Sequence, residues 1–432
     1  MRRFTKLSAC LLVCLLPLMC LSCGNDAAAP SGGGAVSPSG GGAAWDNSSF
    51  YRAGHRFADS PDAYYYLDAQ DLLQVYDKEA GVSTLLSNEA YTRKELLEDE
   101  AKRQASDAYY PGARDIFYDS GSLYIFANSA SHVQGERDLW QLSLSDGKRR
   151  RLRSFHFDVI PRSCCADGVI SLLALRYSES NVMERYIERY DIRENRLLPE
   201  IAMPDLEQMD PEWVSVQNVV PYRGRLYLLL EAGDPSSQAN KVFLVIADTA
   251  AGTAKALNLG AMAVDKAGAG AQITQQAFWR DRLIFHILPK DYLQSETIEV
   301  YVSDLAGGNI QKWASSDLRF DLGSNGEELF LEPPETAIAD WDWEGEGQLW
   351  PKIPFVIRCI GSPSSDALPA KLADWPVERE LTGKSFCPTP MGFLVFTGDG
   401  KALLVDKEGY GVQALDEHSG EWQPIFTADM RS

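Results

Sequence analysis

The chain is short of the residues that most often carry out chemistry. Its 432 residues include five histidines, His55, His132, His156, His286 and His418, scattered without the spacing of a metal site. No G-x-S-x-G, H-E-x-x-H or phosphate-loop pattern occurs, so the hydrolase, zinc-protease and nucleotide readings that rest on local motifs fall away. No cofactor or metal is implied. Basic residues are scarce too: 41 Lys and Arg stand against 61 Asp and Glu, a formal charge of −20. Nucleic acid is therefore a poor partner, and an anionic lipid surface would repel the body of the protein. Of the eight cysteines, only Cys164, Cys165, Cys359 and Cys387 lie beyond the first 23 residues, too few to staple a chain of this length. Adjacent Cys164 and Cys165 alternate across a strand as small hydrophobes. Cys359 and Cys387 could pair only if their strands are neighbours.

What the chain does have begins at its first residues. Arg2, Arg3 and Lys6 precede an apolar stretch over 11–21, about half the length of a membrane-spanning helix. Cys20-Leu21-Ser22-Cys23 follows, and this resembles the lipobox of bacterial lipoproteins. The resemblance implies cleavage before Cys23, acylation of its thiol and anchoring in the cell membrane on the extracytoplasmic side. One departure is Cys20, where the family prefers leucine. The C-x-x-C spacing of Cys20 and Cys23 is not a redox motif at such a cleavage site. With residues 1–22 removed, Arg2, Arg3 and Lys6 are lost and the charge moves to about −23. Residues 23–44 are mostly Gly, Ser, Ala and Pro, which cannot bury apolar surface and form a flexible tether of roughly 25 Å.

From residue 45 to residue 432 one unit recurs every 45–65 residues or so. Its signature is a short apolar strand after a tight turn. The copies are SPDAYYYLD (60–68), DSGSLYIFA (119–127), ADGVISLLAL (166–175), YRGRLYLLLE (222–231), WRDRLIFHIL (279–288), SNGEELFLE (324–332) and PMGFLVFTG (390–398). A second hairpin trails most copies, as in DLWQLSLSDGKRRRL (138–152) and TIEVYVSDLAGGNIQKW (297–313). The first of these strands is apolar on both faces, as in Leu226-Tyr227-Leu228-Leu229-Leu230, and needs cover on both sides. In the later strand, Ile298, Val300 and Val302 alternate with Glu299, Tyr301 and Ser303, which predicts a half-covered position nearer an edge. His286, inside an apolar strand, is expected to be a core residue. A sheet of this kind cannot bury itself alone. Stacking copies around an axis solves that problem, so the expected fold is all-β, a single β-propeller of about seven four-stranded blades. The last copy holds one strand more than expected, which points to closure by strands from both chain ends. Nearly the whole mature region resembles extracytoplasmic bacterial β-propeller lipoproteins, although no blade-specific motif assigns a subfamily.

Three inserts interrupt the repeat. In residues 91–110, Thr92 and Glu95 form a capping box, and Glu98 with Lys102 makes an i,i+4 pair, which predicts a solvated helix packing on the rim through Leu96 and Leu97. Residues 260–272 contain Gly268 and Gly270 but lack the third glycine and helix of a phosphate-binding turn. Residues 333–354 carry Asp340, Trp341, Asp342, Trp343, Glu344, Gly345 and Trp350. The acids begin like a calcium loop, but Pro351 stands where a closing glutamate belongs, so a cation site is a poor fit. The indoles of an acidic loop pack over the propeller edge in one reading; in the other, exposed indoles beside carboxylates stack on sugar rings, which makes Asp340, Trp341, Asp342, Trp343 and Trp350 the candidate ligand-binding residues. No residue stands out as catalytic. The expected activity is non-enzymatic: binding, sensing or scaffolding of an envelope protein or peptide through the face that carries the long loops. Binding or cleavage of a glycan through the Trp/Asp insert is the alternative. Replacing Cys23 with serine is expected to abolish labelling of the chain by palmitate and release it from the membrane fraction; retained label would remove Cys23 as the acceptor.

Overall fold

The computed structural model describes residues 56–129, 135–156, 163–177, 183–206, 214–234, 239–258, 272–288, 298–316, 321–324, 329–332, 353–360, 377–385, 392–396, 402–406, 411–416 and 421–427. Cys23 and the tether fall outside them, as do the insert at 260–271 and the stretch from 333 to 352.

The described strands form seven antiparallel sheets, each a meander of consecutive strands. Blade one holds β1 (Phe57–Asp59), β2 (Ala63–Leu67), β3 (Leu73–Asp77) and β4 (Val82–Leu85); two short helices follow, α1 (Arg93–Glu98) and α2 (Glu100–Ala105). Blade two holds β5 (Ile116–Asp119), β6 (Ser122–Asn128), β7 (Glu136–Ser143) and β8 (Arg149–His156). Blade three holds β9 (Ser163–Ala166), β10 (Val169–Tyr177) and β11 (Met183–Asp191), and β12 (Arg196–Leu197) and β13 (Ile201–Ala202) share its fourth position against β11. Blade four holds β14 (Val214–Tyr222), β15 (Arg225–Asp234), β16 (Ala239–Asp248) and β17 (Thr253–Asn258). Blade five holds β18 (Gln272–Trp279), β19 (Arg282–Leu288), β20 (Ile298–Asp304) and β21 (Gln311–Ser316). Blade six holds β22 (Asp321–Ser324), β23 (Leu329–Glu332), β24 (Ile353–Ile360) and β25 (Val377–Ser385). Blade seven holds β26 (Gly392–Phe396), β27 (Ala402–Asp406), β28 (Gly411–Asp416) and β29 (Glu421–Thr427). The chain is a β-propeller.

Local chemistry explains the repeat. Three of the turns between first and second strands carry paired left-handed residues: Ser120 with Gly121, Asp167 with Gly168, and Arg223 with Gly224. Two positive φ values in a two-residue loop match the right-handed twist of the strands they join, and glycine in the second place adopts that conformation without strain. The second strand then runs through the middle of its blade. In β15, Leu226, Leu228 and Leu230 enter the core against blade three, while Tyr227 and Leu229 enter a core that includes Phe278 and Phe285 of blade five. Cys164 and Cys165 divide in the same way, Cys164 joining the core with blade four and Cys165 packing toward blade two. A fully buried leucine contributes about 1.5–3 kcal/mol, so a strand such as β15 gains stability from both of its neighbours.

Two expectations need correction. In β20, Val300 and Val302 are buried, but so are Tyr301 and Ser303. The alternation counted tyrosine as an outward residue, whereas its ring packs in the core and its hydroxyl donates to Glu299 at 2.8 Å. The third strand of this blade is therefore covered on both sides. The extra strand of the last repeat also disappears. The FLVF segment is the first strand of blade seven and not the second, so β26 to β29 complete that blade from the C-terminal end alone. Among the described residues no strand is shared between the chain ends.

Closure rests on side chains instead. β29 lies against β4, the Tyr66 and Phe426 rings meet at 4.6 Å, and the Ser83 hydroxyl donates to the Ile425 carbonyl at 3.2 Å. Phe426→Ala is expected to lower the unfolding free energy by about 2 kcal/mol in urea titration, less than a fully buried phenylalanine because the ring is half-buried. An unchanged midpoint would show that this contact does not hold the first and last blades together.

Candidate functional site

In a four-strand meander, the links from second to third strand and from fourth strand to the next blade leave one end. The other links leave the opposite end. The insert containing α1 and α2 is of the first kind, and so is the link between β2 and β3. The structure packs them together. Asp68, wholly buried in the β2–β3 link, accepts from the backbone of Gln70 and Leu72 at 2.9 and 3.0 Å, from Gln74 Nε2 at 3.1 Å and from Arg93 Nε at 2.8 Å. Asp71 in the same link accepts from Arg56 at 2.8 Å and from the Gly112 amide at 2.7 Å. Arg56 also donates to the carbonyls of Leu67 and Ala113 at 3.1 and 3.0 Å. Two aspartates thus tie the start of blade one, the helical insert and the approach to blade two into one unit. Buried carboxylates persist only when so many donors replace water.

The insert carries the predicted capping box, with the Glu95 amide donating to the Thr92 hydroxyl at 3.2 Å and the Thr92 amide donating to the Glu95 carboxylate at 2.7 Å. The Thr92 amide, with the Thr92 hydroxyl donating to the same carboxylate at 2.8 Å, holds the Glu95 carboxyl below its usual pKa. Leu96 is buried as expected, and Leu97 is half-buried. The predicted Glu98–Lys102 pair does not form. Asp99 interrupts the helix, closing α1 and capping α2 through the Lys102 amide, so Lys94 approaches Glu98 and Lys102 approaches Asp99, each at 3.7 Å.

The same face continues over blades two and three. Asp115 is wholly buried before β5 and accepts from the Ser163 hydroxyl at the start of β9. Asp138 is buried at the start of β7, accepting from Ser154 at 2.6 Å and facing Arg151 at 3.6 Å. At the end of β10, Arg176 reaches Glu184 at 2.9 Å and Glu200 at 2.7 Å, and lies over the Tyr186 ring. Glu188 is buried further along β11, on the side facing blade two. Burial raises its pKa and the charge of Glu200 adds to this, while Arg153 and a hydrogen bond with Tyr186 oppose. Among the described residues the exposed aromatic side chains Tyr91 and Tyr177 both belong to this face, whereas exposed Val82 and Leu197 lie in fourth-position strands near the opposite end.

Asp340, Trp341, Asp342, Trp343 and Trp350 lie outside the described residues, in the link between β23 and β24, which is of the loop-face kind. Cys359 stands in β24 opposite Phe330, and Cys387 is outside the described residues. His286 occupies β19 opposite Val300. Among the described residues no group of three or more His, Cys, Asp or Glu is placed to hold a metal ion, and no helix is long and apolar enough to cross a membrane. The Asp68–Arg93 bridge and the buried Glu188 carry no sequence signal, because each depends on a partner from another strand or blade.

The chain matches no described family and no curated protein. Solved structures do resemble it. The β-propeller domain of the Trilobed protease from Pyrococcus furiosus aligns over 73% of this chain and 83% of its own, at 11% identity and a TM-score of 0.41. A Mycobacterium tuberculosis puromycin-hydrolyzing peptidase aligns over 91% of this chain and 56% of its own, at 11% identity and a TM-score of 0.46. A polysaccharide lyase, ulvan lyase, aligns over 77% and 86%, at 10% identity and a TM-score of 0.41. Likeness at this level transfers no activity.

Glu188 yields a test of the electrostatics. A carboxyl that ionises less readily in the folded chain destabilises the fold once the unfolded chain has released its proton. Stability then falls as pH rises from the ordinary glutamate pKa through the raised folded value. Glu188→Gln is expected to be more stable than the parent at neutral pH and equal to it in acid below the ordinary glutamate range, by urea unfolding at both. An advantage undiminished in acid would mean that ionisation of Glu188 is not its source.

Proposed function

We propose that the protein is a membrane-tethered, extracytoplasmic β-propeller that binds an envelope protein or peptide through its loop face, as a sensor, scaffold or assembly factor. The observation that carries this is the character of that face over blades one to three. The helical insert is fastened to the body through Arg93 and Asp68, and Tyr91 and Tyr177 stand exposed on the same side. Rigid loops bearing exposed aromatics suit protein recognition, because the ring buries much surface with little entropy to lose. The lipobox and short tether keep that face near the membrane.

A glycan is the second reading. It is favoured by Trp341, Trp343 and Trp350 beside Asp340 and Asp342 in a loop-face link, and would show as glycan binding that a Trp341→Ala/Trp343→Ala variant loses.

Photo-crosslinking residues at Glu98 and Tyr177 are expected to give the same discrete adduct in intact cells, and residues at Glu79 and Ala250, in turns of the opposite face, to give none. Arg93→Met, which frees the insert, should weaken the adduct from both loop-face positions. Equal cross-linking from the two faces would discard the loop face as the binding surface.

A further inference from the structure

Blade two is rich in arginine within an acidic protein, and most of that arginine is accounted for. Arg149 lies over the rings of Tyr110 and Trp140 at 4.2 and 4.1 Å, Arg150 donates to Gln141 at 2.6 Å, and Arg151 faces Asp138. Arg114 and Arg137 are different. Arg114 immediately precedes β5, its amide bonded to the Phe126 carbonyl at 3.2 Å, and its side chain is exposed. Arg137 begins β7, opposite Asn128 at the end of β6. Both therefore sit at the loop-face end of blade two, on either side of the same strand. Among the described residues neither guanidinium has a carboxylate partner, and Arg137 Nε is buried with no acceptor. Burial disfavours the charged form of Arg137, and the nearby charge of Arg114 disfavours it further.

A half-buried guanidinium whose Nε has no acceptor, with a second cation near it, is an expensive arrangement in a chain with 61 acidic residues from which a partner could have been drawn. A guanidinium presents a planar fork of donors that matches the two oxygens of a carboxylate, and two forks can hold one such group from both sides. We infer that Arg114 and Arg137 form a binding site for a carboxylate of an acidic peptide segment, at the loop-face end of blade two. This rests on the loop face being the surface that engages the partner, and it names the chemistry recognised there. The surrounding negative field would reject acidic chains elsewhere on the molecule and make this the point of entry.

The test uses the full-length protein in detergent, with hexaglutamate as probe and calorimetry at low ionic strength as the readout. The parent is expected to bind, and Arg114→Gln and Arg137→Gln each to weaken binding about tenfold, the weight of one charge-assisted hydrogen bond. Arg150→Gln, at an arginine already partnered, should change it by less than about twofold. Hexaglutamate should also raise the thermal midpoint of the parent and not of Arg137→Gln, which separates lost binding from lost folding. No binding by the parent, unchanged affinity in both variants, or an equal loss in Arg150→Gln would overturn the site. Arginine-dependent binding of an oligogalacturonate but not of hexaglutamate would overturn the peptide assignment in favour of an acidic glycan. If the cross-links from Glu98 and Tyr177 survive in Arg114→Gln/Arg137→Gln while hexaglutamate binding never appears, this site fails and the loop-face function stands.

Discussion

Two-sided burial of the second strand, seen in blades one to six, is the constraint on which the rest of the molecule depends. A strand such as β15, with leucines on one face and Tyr227 and Leu229 on the other, cannot be satisfied by its own sheet. It needs a neighbour on each side, that neighbour needs the next, and the series ends only when the last sheet meets the first. The hydrophobic effect has no direction, but strand pleat and tight turns give it one by presenting two apolar faces at a fixed spacing. A ring is the arrangement that leaves no such face bare.

The closure follows the same logic with less help than expected. Among the described residues the first and last blades are each built from one end of the chain, so no backbone ladder spans the junction. Tyr66, Phe426, Ser83 and Ile425 make that contact through rings and a single hydroxyl. Side-chain packing is individually weak and collectively large, and blades three, four and five also meet through it.

Function is placed by a second constraint, the polarity of the meander. Alternate links must leave opposite ends of the sheet, so anything added to one class of link accumulates on one face. The short helices, the buried Asp68 with its four donors, the exposed tyrosines and the unpartnered Arg114 and Arg137 share that face for this topological reason. Asp68 is satisfied by its own link, by Gln74 and by Arg93 of the insert, while Asp115 and Asp138 are served by serines of other strands. The loops are consequently held in position by the body of the propeller and do not hang from it.

Strand content, the tight turns, the second hairpins and the blade number were legible from sequence because each arises from contacts within a few residues: the Asp-Gly turn before β10, the leucine run of β15, the capping box at Thr92 and Glu95. What lay beyond local pattern was decided by tertiary structure. Tyr301 turned inward because blade four supplies a core for its ring, and the helix broke at Asp99, whose side chain caps the second segment. The FLVF segment became a first strand because register is set by pairing with β27, and the same turn chemistry can precede either strand. The meeting of Arg93 with Asp68, and the placing of Arg114 and Arg137 at one end of blade two, were likewise invisible in the chain. Periodicity records which way a residue points; only the packed ring determines what it meets.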